Sequence, residues 1–208
     1  MTAEPFRATV RTMLRDRLFD AAAGVFGDEG WRRLTMAKVA DRAGVSRQTV
    51  YNEFGTKQQL AEQLIMRELE TFLDIVRQRF DEESEFVPAV RSAIRGAFAT
   101  ADDNALLRAV LGSGQAGGAG GDTELLPFIT QSQSLIDRAT EFLLLLVGSR
   151  FPGVPLDPDR LKVALESVVR LVLSHITQPT GDRDRAADDL AWLVGAVVTG
   201  AVVAEPAG

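Results

Sequence analysis

Residues 35–57 read TMAKVADRAGVSRQTVYNEFGTK, and this stretch decides the fold of the N-terminal part of the chain. Its first half carries apolar side chains at i, i+3, i+4 and i+7, the spacing of one helical face: Met36, Val39, Ala40 and Ala43. Thr35 stands just before this run, where its hydroxyl can cap the free N–H groups of the first turn. Gly44 follows the run and supplies the left-handed backbone that ends a helix.

A second short helix is predicted directly after this glycine. Ser46 occupies its capping position, and Val50 and Phe54 lie four residues apart, so that both face inward. The exposed face then holds polar side chains and one aromatic ring: Arg47, Gln48, Thr49, Tyr51 and Asn52. A helix, a glycine-containing turn and a second helix with an exposed polar face form the pattern of a helix-turn-helix DNA-binding motif.

The exposed side chains have the chemistry that base recognition needs. Arginine can pair bidentately with guanine and glutamine with adenine, while threonine can touch the methyl group of thymine. Lys57, near the start of the next predicted helix, would be a point charge for a phosphate. A merely solvated polar face is the alternative, and the correctly spaced caps and apolar neighbours argue against it.

The composition excludes several classes of protein. The chain has 208 residues, of which 46% are hydrophobic and 25% charged, as in globular proteins with a buried core. It has no cysteine, which excludes disulfides, thiolate metal sites and cysteine nucleophiles, and His175 is its only histidine. The first residues lack the apolar run of a secretory signal. We therefore expect a cytoplasmic protein without a metal, a cofactor or a catalytic residue.

The charges are distributed unevenly along the chain. Residues 1–57 contain 10 Lys and Arg against 7 Asp and Glu, a net charge of +3, whereas residues 58–208 contain 13 against 22, a net charge of −9. A basic end on an acidic body suggests that only the N-terminal part approaches phosphate groups. Chance alone can produce an imbalance of this size, so the charge is a supporting observation only.

Helical periodicity predicts further helices around the motif, and no stretch alternates long enough to form a strand. The predicted spans are residues 7–27, 56–80, 87–101, 105–111, 127–151, 158–177 and 183–204, with Gly27 and Gly30 ending the first. With the two helices of the motif, this gives an all-α fold of about nine helices. The segment GSGQAGGAGGD at 112–122 is predicted to be a loop, because its GxGxxG lacks the flanking strand and helix of a dinucleotide site.

The first predicted helix has a basic side. Arg7, Arg11 and Arg15 are spaced four residues apart, so they line one face of this helix. They could reach the DNA backbone or the minor groove, or they could form a solvated basic surface. The sequence leaves both interpretations open.

The last two helices, 158–177 and 183–204, are unusually apolar. Small residues four apart, Ala191 with Gly195 and Ala196 with Gly200, would allow a close helix contact. A helix that is apolar nearly all round must be buried on both sides, which favours a homodimer through these two helices. A transmembrane hairpin is the alternative, but the uncharged run from Leu190 to Ala204 has 15 residues, short of the roughly 20 that a span needs.

Residues 18–60 resemble the tetracycline-repressor (TetR) family of bacterial transcription regulators. The matching runs are LFDAAAGVFGDEGW and LTMAKVADRAGVSRQTVYNEFGTKQQL, and the spacing AGVSxxTxYxxFxxKxxL is specific to the family. The resemblance implies a DNA-binding domain at 1–57 and a ligand-binding and dimerisation domain at 58–208. It also implies a homodimer on a palindromic double-stranded operator, usually a repressor, although repressors and activators share the motif. A small-molecule effector would then move the long helix after the motif and separate the two DNA-binding motifs of the dimer.

The resemblance also assigns site residues. It implies phosphate contacts by Thr35, Ser46, Tyr51 and Lys57 and base contacts by Arg47, Gln48 and Thr49, with Asn52 on the same exposed face. Glu53 departs from the family, which more often has histidine at this position. A carboxylate cannot bind phosphate, so Glu53 would orient Arg47, orient another basic group or face solvent.

The effector site is predicted from large apolar residues on the central helices. These are Phe72, Phe98, Leu107, Phe128 and Phe142, and few charges lie among them, which suggests a largely apolar effector. Taken singly, each of them is more often a core residue than part of a ligand site. His175 lies in an apolar helix, where a packed or interface histidine is more common than one that senses a ligand.

Two other functions are compatible with parts of the sequence. One is a helical enzyme, for which Asp102, Asp103 and Asp122 could hold a metal ion, although the chain offers no set of nucleophile and base. The other is a membrane-associated protein, which would rest on the two apolar helices at the end. We expect neither, because the helix-turn-helix pattern is far more specific than these features.

Overall fold

The computed structural model of the chain describes residues 3–104, 133–179 and 181–204, with side chains from Ala8 to Gly200. Within these ranges the chain forms α-helices and no β-strand, which confirms the predicted all-α fold. The helices are α1 (Ala3–Glu29), α2 (Met36–Ala43), α3 (Arg47–Phe54), α4 (Lys57–Glu82), α5 (Phe86–Asp103), α6 (Gln133–Arg150), α7 (Pro158–Thr177) and α8 (Arg183–Ala204). The predicted helix at 105–111, the loop at 112–122 and the start of the helix predicted at 127 lie outside the described residues.

The contacts divide the chain into two compact units, and the division falls within α4, between Arg67 and Glu68. α4 is one continuous helix of 26 residues, and at 1.5 Å per residue it is about 39 Å long. It therefore belongs to both units.

The first unit consists of α1, α2, α3 and the start of α4 around a small apolar core. Its most deeply buried side chains come from all four helices and from the connection after α1: Leu18, Ala22, Phe26, Leu34, Val39, Val50 and Leu60. Each large side chain among them stabilises the fold by about 1.5–3 kcal/mol through burial alone. Gly30 ends α1 with a φ of 80°. Gly27, by contrast, lies within α1, so its predicted role in ending the helix was wrong.

In the second unit, α8 packs against α5. Ala187 and Ala191 of α8 are completely buried, and a Cβ added at Gly195 would lie 3.6 Å from Val87 of α5. Arg95 of α5 ties the start of α8 to it, with Nε 3.1 Å from Asp184 and Nη2 3.1 Å from Asp188. The small residues on this side of α8 therefore allow it to pack closely against α5 of the same chain.

Other helices of the second unit meet through equally close contacts. A Cβ added at Gly96 of α5 would come within 2.9 Å of Ile75 of α4, so this glycine lets the two helices approach. The ring of Phe151, just after α6, lies 5.7 Å from that of Phe80 and 5.6 Å from that of Phe86.

Large apolar side chains remain exposed on α6, α7 and α8. They are Leu145, Val163, Leu171, Trp192, Leu193 and Val197, and the first four are exposed by 76%, 66%, 36% and 72%. On α8 this surface includes Ala196 and Gly200, which are exposed as well. α8 is therefore buried on one side by α5 and apolar but uncovered on another. None of the helices in the described ranges combines the length and hydropathy that a membrane span requires.

Candidate DNA-binding site

The turn between α2 and α3 fixes the direction in which α3 projects. Thr35 caps α2 by accepting a hydrogen bond from the N–H of Lys38 at 3.2 Å. Gly44 has φ 68° and ψ 39°, the left-handed conformation, and the N–H of Val45 closes the turn on the carbonyl of Ala40 at 3.0 Å. An L-residue other than glycine is strained in this conformation. The turn predicted from the sequence is confirmed.

α3 is held against the core by its apolar side. Val50 is fully buried and Phe54 is 3% exposed, and the ring of Phe54 lies 5.0 Å from that of Phe19 on α1. Ser46 caps the helix by accepting a hydrogen bond from the N–H of Thr49 at 3.1 Å. Because this side is fixed, the opposite side of α3 must face away from the core.

The exposed side of α3 carries two ordered side-chain pairs, each spanning one turn. Arg47 donates from Nη2 to the Tyr51 hydroxyl at 3.1 Å, and its guanidinium carbon lies 5.3 Å from the centre of that ring. Gln48 donates from Nε2 to Oδ1 of Asn52 at 2.8 Å. The hydrogen bond to Tyr51 raises the pKa of Arg47 above its already high ordinary value, so this side chain is always charged.

Thr49 lies at the border between the exposed side and the core. It is half-buried, and its hydroxyl lies 2.9 Å from that of Ser46. The two hydroxyls share a hydrogen bond, and the Ser46 hydroxyl also accepts the capping N–H. A hydroxyl that only accepts hydrogen bonds can still donate its own proton. The Thr35 cap can therefore donate to a phosphate oxygen, and so can the Ser46 cap when Thr49 is the donor of the shared bond.

Lys57 begins α4 and is tied to the connection between α1 and α2. Its ammonium group donates to the Trp31 carbonyl at 2.6 Å and lies 4.1 Å from the centre of the Trp31 ring. The side chain is half-buried. The bond to the Trp31 carbonyl anchors the start of α4.

Glu53 binds two arginines of α1. Its carboxylate lies 3.2 Å from Nε of Arg11 and 3.5 Å from Nη1 of Arg15, and its side chain is only 13% exposed. Among the possibilities that the sequence left open, Glu53 therefore pairs with another basic group. It does not face solvent, and the guanidinium of Arg47 is bonded to Tyr51 instead.

Arg15 joins three helices of the first unit. Besides its bond to Glu53 of α3, it donates to Oε1 of Gln63 on α4 at 2.6 Å. Its guanidinium carbon also lies 5.6 Å and 5.3 Å from the centres of the Phe19 and Phe54 rings. The side chain of Arg7, the third arginine of this row, lies outside the described residues.

Further ion pairs hold α1 against α2 and α4. Arg42 crosses over Gly24, where an added Cβ would lie 2.7 Å from the guanidinium, and reaches Asp28 at 2.5 Å. Arg67 reaches Asp20 at 2.7 Å. Sequence reasoning missed these pairs, because the partners lie 14 and 47 residues apart and only the helix crossing brings them together.

The residues predicted for an effector site lie in different environments. Phe98 is 1% exposed, with its ring centre 6.1 Å from that of His175 and 5.0 Å from the guanidinium carbon of Arg183. Phe72 and Phe142 are half-buried. Leu107 and Phe128 lie outside the described residues. The packing of His175 against Phe98 agrees with the structural role expected for this histidine.

A buried polar group not singled out in the sequence lies in the same unit. Thr140 of α6 is 2% exposed, and its hydroxyl has no hydrogen-bond partner.

The structure does not support the metal site that was considered from the sequence. Asp102 forms an ion pair with Arg183 at 2.8 Å, and Asp122 lies outside the described residues. No group of three or more metal-ligating side chains occurs in the part of the chain that the structure describes.

Two family models match the chain. Residues 18–64 match the model described as bacterial regulatory proteins of the tetR family. Residues 85–196 match the model for the C-terminal domain of the bacterial tetracyclin repressor. The first match spans the helix-turn-helix motif, and the second reaches from α5 into α8.

Relatives and solved structures agree with these matches. The HTH-type transcriptional regulator AlkX of Mycobacterium tuberculosis is 33% identical over 187 residues, covering 88% of this chain and 85% of that protein. The crystal structure of the TetR family repressor AlkX from Dietzia sp. strain DQ12-45-1b, which is implicated in biodegradation of n-alkanes, has a TM-score of 0.73 and 26% identity. It covers 88% of this chain and 94% of that one. The structure of RolR with resorcinol has a TM-score of 0.60 at 17% identity over 96% and 97% of the two chains, which supports the fold alone.

Proposed function

The chain belongs to the tetracycline-repressor family of bacterial transcriptional regulators, and from this premise we propose that it is a repressor released from its operator by an apolar small molecule. The observation that carries the proposal is the exposed side of α3, where two ordered side-chain pairs project from a capped helix-turn-helix. Residues 1–57 would bind DNA, and residues 58–208 would bind the effector and form the dimer. A cytoplasmic location follows from this role.

The DNA contacts divide by chemistry. Arg47, Gln48, Thr49 and Asn52 are the proposed base-contacting residues, and Thr35, Ser46, Tyr51 and Lys57 are the proposed phosphate-contacting residues. Arg47 and Gln48 each carry donors that fit the major-groove edge of guanine or adenine. In the free protein each of the two donates one hydrogen bond to a residue one turn away, Tyr51 or Asn52, and has further N–H donors for a base. These bonds keep the side chains ordered before DNA arrives.

A second copy of the chain is the proposed partner of α7 and α8. The apolar surface of α8 that faces away from α5 includes Trp192 and Val197, and α7 adds Val163 and Leu171. Exposed apolar surface of this kind marks an association site in soluble proteins. A two-fold dimer would present two copies of α3, which can bind half-sites of a palindrome when they lie about 34 Å apart.

The proposed effector is an aliphatic molecule derived from an n-alkane. The support is the Dietzia AlkX repressor, implicated in n-alkane biodegradation, together with the identity to AlkX of M. tuberculosis over most of both chains. The proposed site lies in residues 58–208 and includes Phe72, Phe98, Leu107, Phe128 and Phe142. Binding there would move α4, which begins at the motif and continues into the second unit.

The test is a binding titration with duplex DNA taken from immediately upstream of the coding sequence. Wild-type protein is expected to bind this DNA tightly, with an affinity that falls steeply with salt. Arg47→Ala and Gln48→Ala are each expected to lose about 1–3 kcal/mol of sequence preference. Equal affinity of Arg47→Ala and wild type for this DNA would refute the assignment of α3.

The effector is tested on the same complex. Addition of an n-alkane, or of its long-chain alcohol or fatty acid, is expected to release the DNA, whereas resorcinol is expected to leave the complex intact. Release by resorcinol and not by any aliphatic compound would overturn the proposed effector class and leave the DNA-binding role standing.

A further inference from the structure

The ion-pair cluster of Glu53 with Arg11 and Arg15 extends the DNA-binding surface onto α1. We propose that Arg11 binds a phosphate of the DNA backbone, and that Glu53 is the positioning residue that holds Arg11 in place for this contact. The inference rests on the proposed function, because it assumes that α3 faces DNA. It assigns a role to the one position of the motif where an acidic side chain stands among proposed DNA contacts.

The location of the cluster follows from helix geometry. Glu53 lies four residues after Thr49, so the two side chains lie on the same face of α3. Thr49 belongs to the proposed base-contacting set and is bonded to Ser46 at the helix start. Arg11, held 3.2 Å from the Glu53 carboxylate, therefore lies at the C-terminal edge of the same surface.

The two arginines have different environments. The guanidinium of Arg15 is shared among Glu53, Gln63 and two phenylalanine rings, and its side chain is 32% exposed. The Arg11 side chain is 65% exposed and bonds to Glu53 through Nε. Among the described residues, no hydrogen-bond acceptor is found for its two Nη groups. Arg15 is thus a structural residue, whereas Arg11 keeps its outer donors available to a ligand.

The charge of the cluster favours an anionic ligand. A lone carboxylate at the edge of α3 would repel the DNA backbone, but two guanidinium groups around one carboxylate leave a net charge of +1. A guanidinium held by a carboxylate through one edge presents its remaining N–H groups in a fixed direction, which suits a phosphate oxygen. An unpaired arginine would lose more side-chain freedom in binding the same phosphate.

A purely structural role explains the cluster less well. Arg15 alone neutralises Glu53 and joins α1 to α3 and α4, so the fold does not require a second arginine here. Exposed ion pairs contribute little to stability, and Arg11 is mostly exposed. What Arg11 adds to the cluster is an oriented positive charge at the surface.

The experiment measures affinity for the upstream duplex DNA across a salt series. Arg11→Ala is expected to weaken binding by about tenfold and to lower the slope of log affinity against log salt by about 0.9 for each phosphate that the protein no longer neutralises. Arg138→Ala is the matched control, because Arg138 also pairs through Nε with a glutamate, Glu70 at 2.9 Å, in the other unit. It is expected to leave both affinity and slope unchanged, and thermal midpoints verify that each variant is folded.

Glu53→Gln in two backgrounds tests the positioning role. In the presence of Arg11 it is expected to weaken binding by about threefold, because the anchor of the guanidinium is removed. In the Arg11→Ala background it is expected to be neutral or to tighten binding, because no Arg11 guanidinium remains to be positioned and one negative charge is removed from the cluster. The same effect in both backgrounds would overturn the positioning role.

The remaining outcomes separate this inference from the proposed function. If wild type binds and Arg47→Ala binds more weakly, but Arg11→Ala retains both affinity and salt slope, Arg11 does not bind phosphate. If wild type shows no salt-dependent binding to any duplex, the proposed function itself fails.

Discussion

The two ends of this chain use their exposed side chains in opposite ways. On α3 and the adjoining part of α1, polar side chains are bonded to one another, as in Arg47 with Tyr51 and Arg11 with Glu53. On α7 and α8, the exposed side chains are instead large and apolar, such as Val163 and Trp192. On the first surface, contacts within one chain fix the side chains. On the second surface, apolar area stays exposed to solvent in one chain.

This difference indicates which surface depends on assembly. Hydrogen bonds and ion pairs fix direction, so a single copy can present the proposed DNA-binding side chains in their final geometry. Apolar area gains stability only by leaving water, so the surface of α8 favours association. Substitutions in the two regions should therefore separate into those that damage the motif and those that damage the proposed dimer.

The largest effect is expected from Phe54→Ala, which removes the ring that anchors α3. Phe54 is 3% exposed and packs against Phe19 and Arg15, and truncation of a buried phenylalanine costs about 3–5 kcal/mol. Urea unfolding should show this destabilisation and DNA binding should disappear, while sedimentation should still show a dimer. Tyr51→Ala, one turn away and exposed, is the control: it should weaken DNA binding but leave the unfolding midpoint nearly unchanged. A variant of Phe54 that unfolds like wild type would refute the packing of α3.

Much of this comparison could be predicted from the sequence, because it depends on local rules. The Thr35 and Ser46 caps, the Gly44 turn and the apolar positions of α3 follow from residue type and spacing within a few residues. The bounds of α7 and α8 agree with the predicted spans for the same reason.

The partners of Glu53 could not be predicted, since Arg11 lies 42 residues away and only the crossing of α1 over α3 brings the two together. The sequence predicted that α8 is buried on both sides, with a homodimer contact on one of them, but it did not show that α5 is the helix packed against the other side. Periodicity shows that a helix is apolar, but it does not show which neighbour covers each side.

A smaller effect, confined to assembly, is expected from Trp192→Asp. Trp192 is 72% exposed in one chain, so its replacement should leave the protomer folded. If the surface of α8 forms the dimer, a buried charge in place of a tryptophan should weaken association by at least about 2 kcal/mol, roughly 30-fold in dissociation constant. Sedimentation equilibrium would measure this change. Met13→Asp, at an exposed apolar position of α1, should leave the dimer intact; equal dissociation constants for both variants would place the interface elsewhere.

The smallest effect is expected inside the second unit, at Thr140. Its hydroxyl is buried without a hydrogen-bond partner, and such a group costs about 1–3 kcal/mol. Thr140→Val keeps the shape and removes the hydroxyl, so it should raise the free energy of unfolding by about 1 kcal/mol. Thr100→Val is the control, because that hydroxyl donates to the Gly96 carbonyl at 2.9 Å, and removal of this bond should not stabilise the protein. If Thr140→Val instead destabilises the unliganded protein, the hydroxyl has a partner in solution.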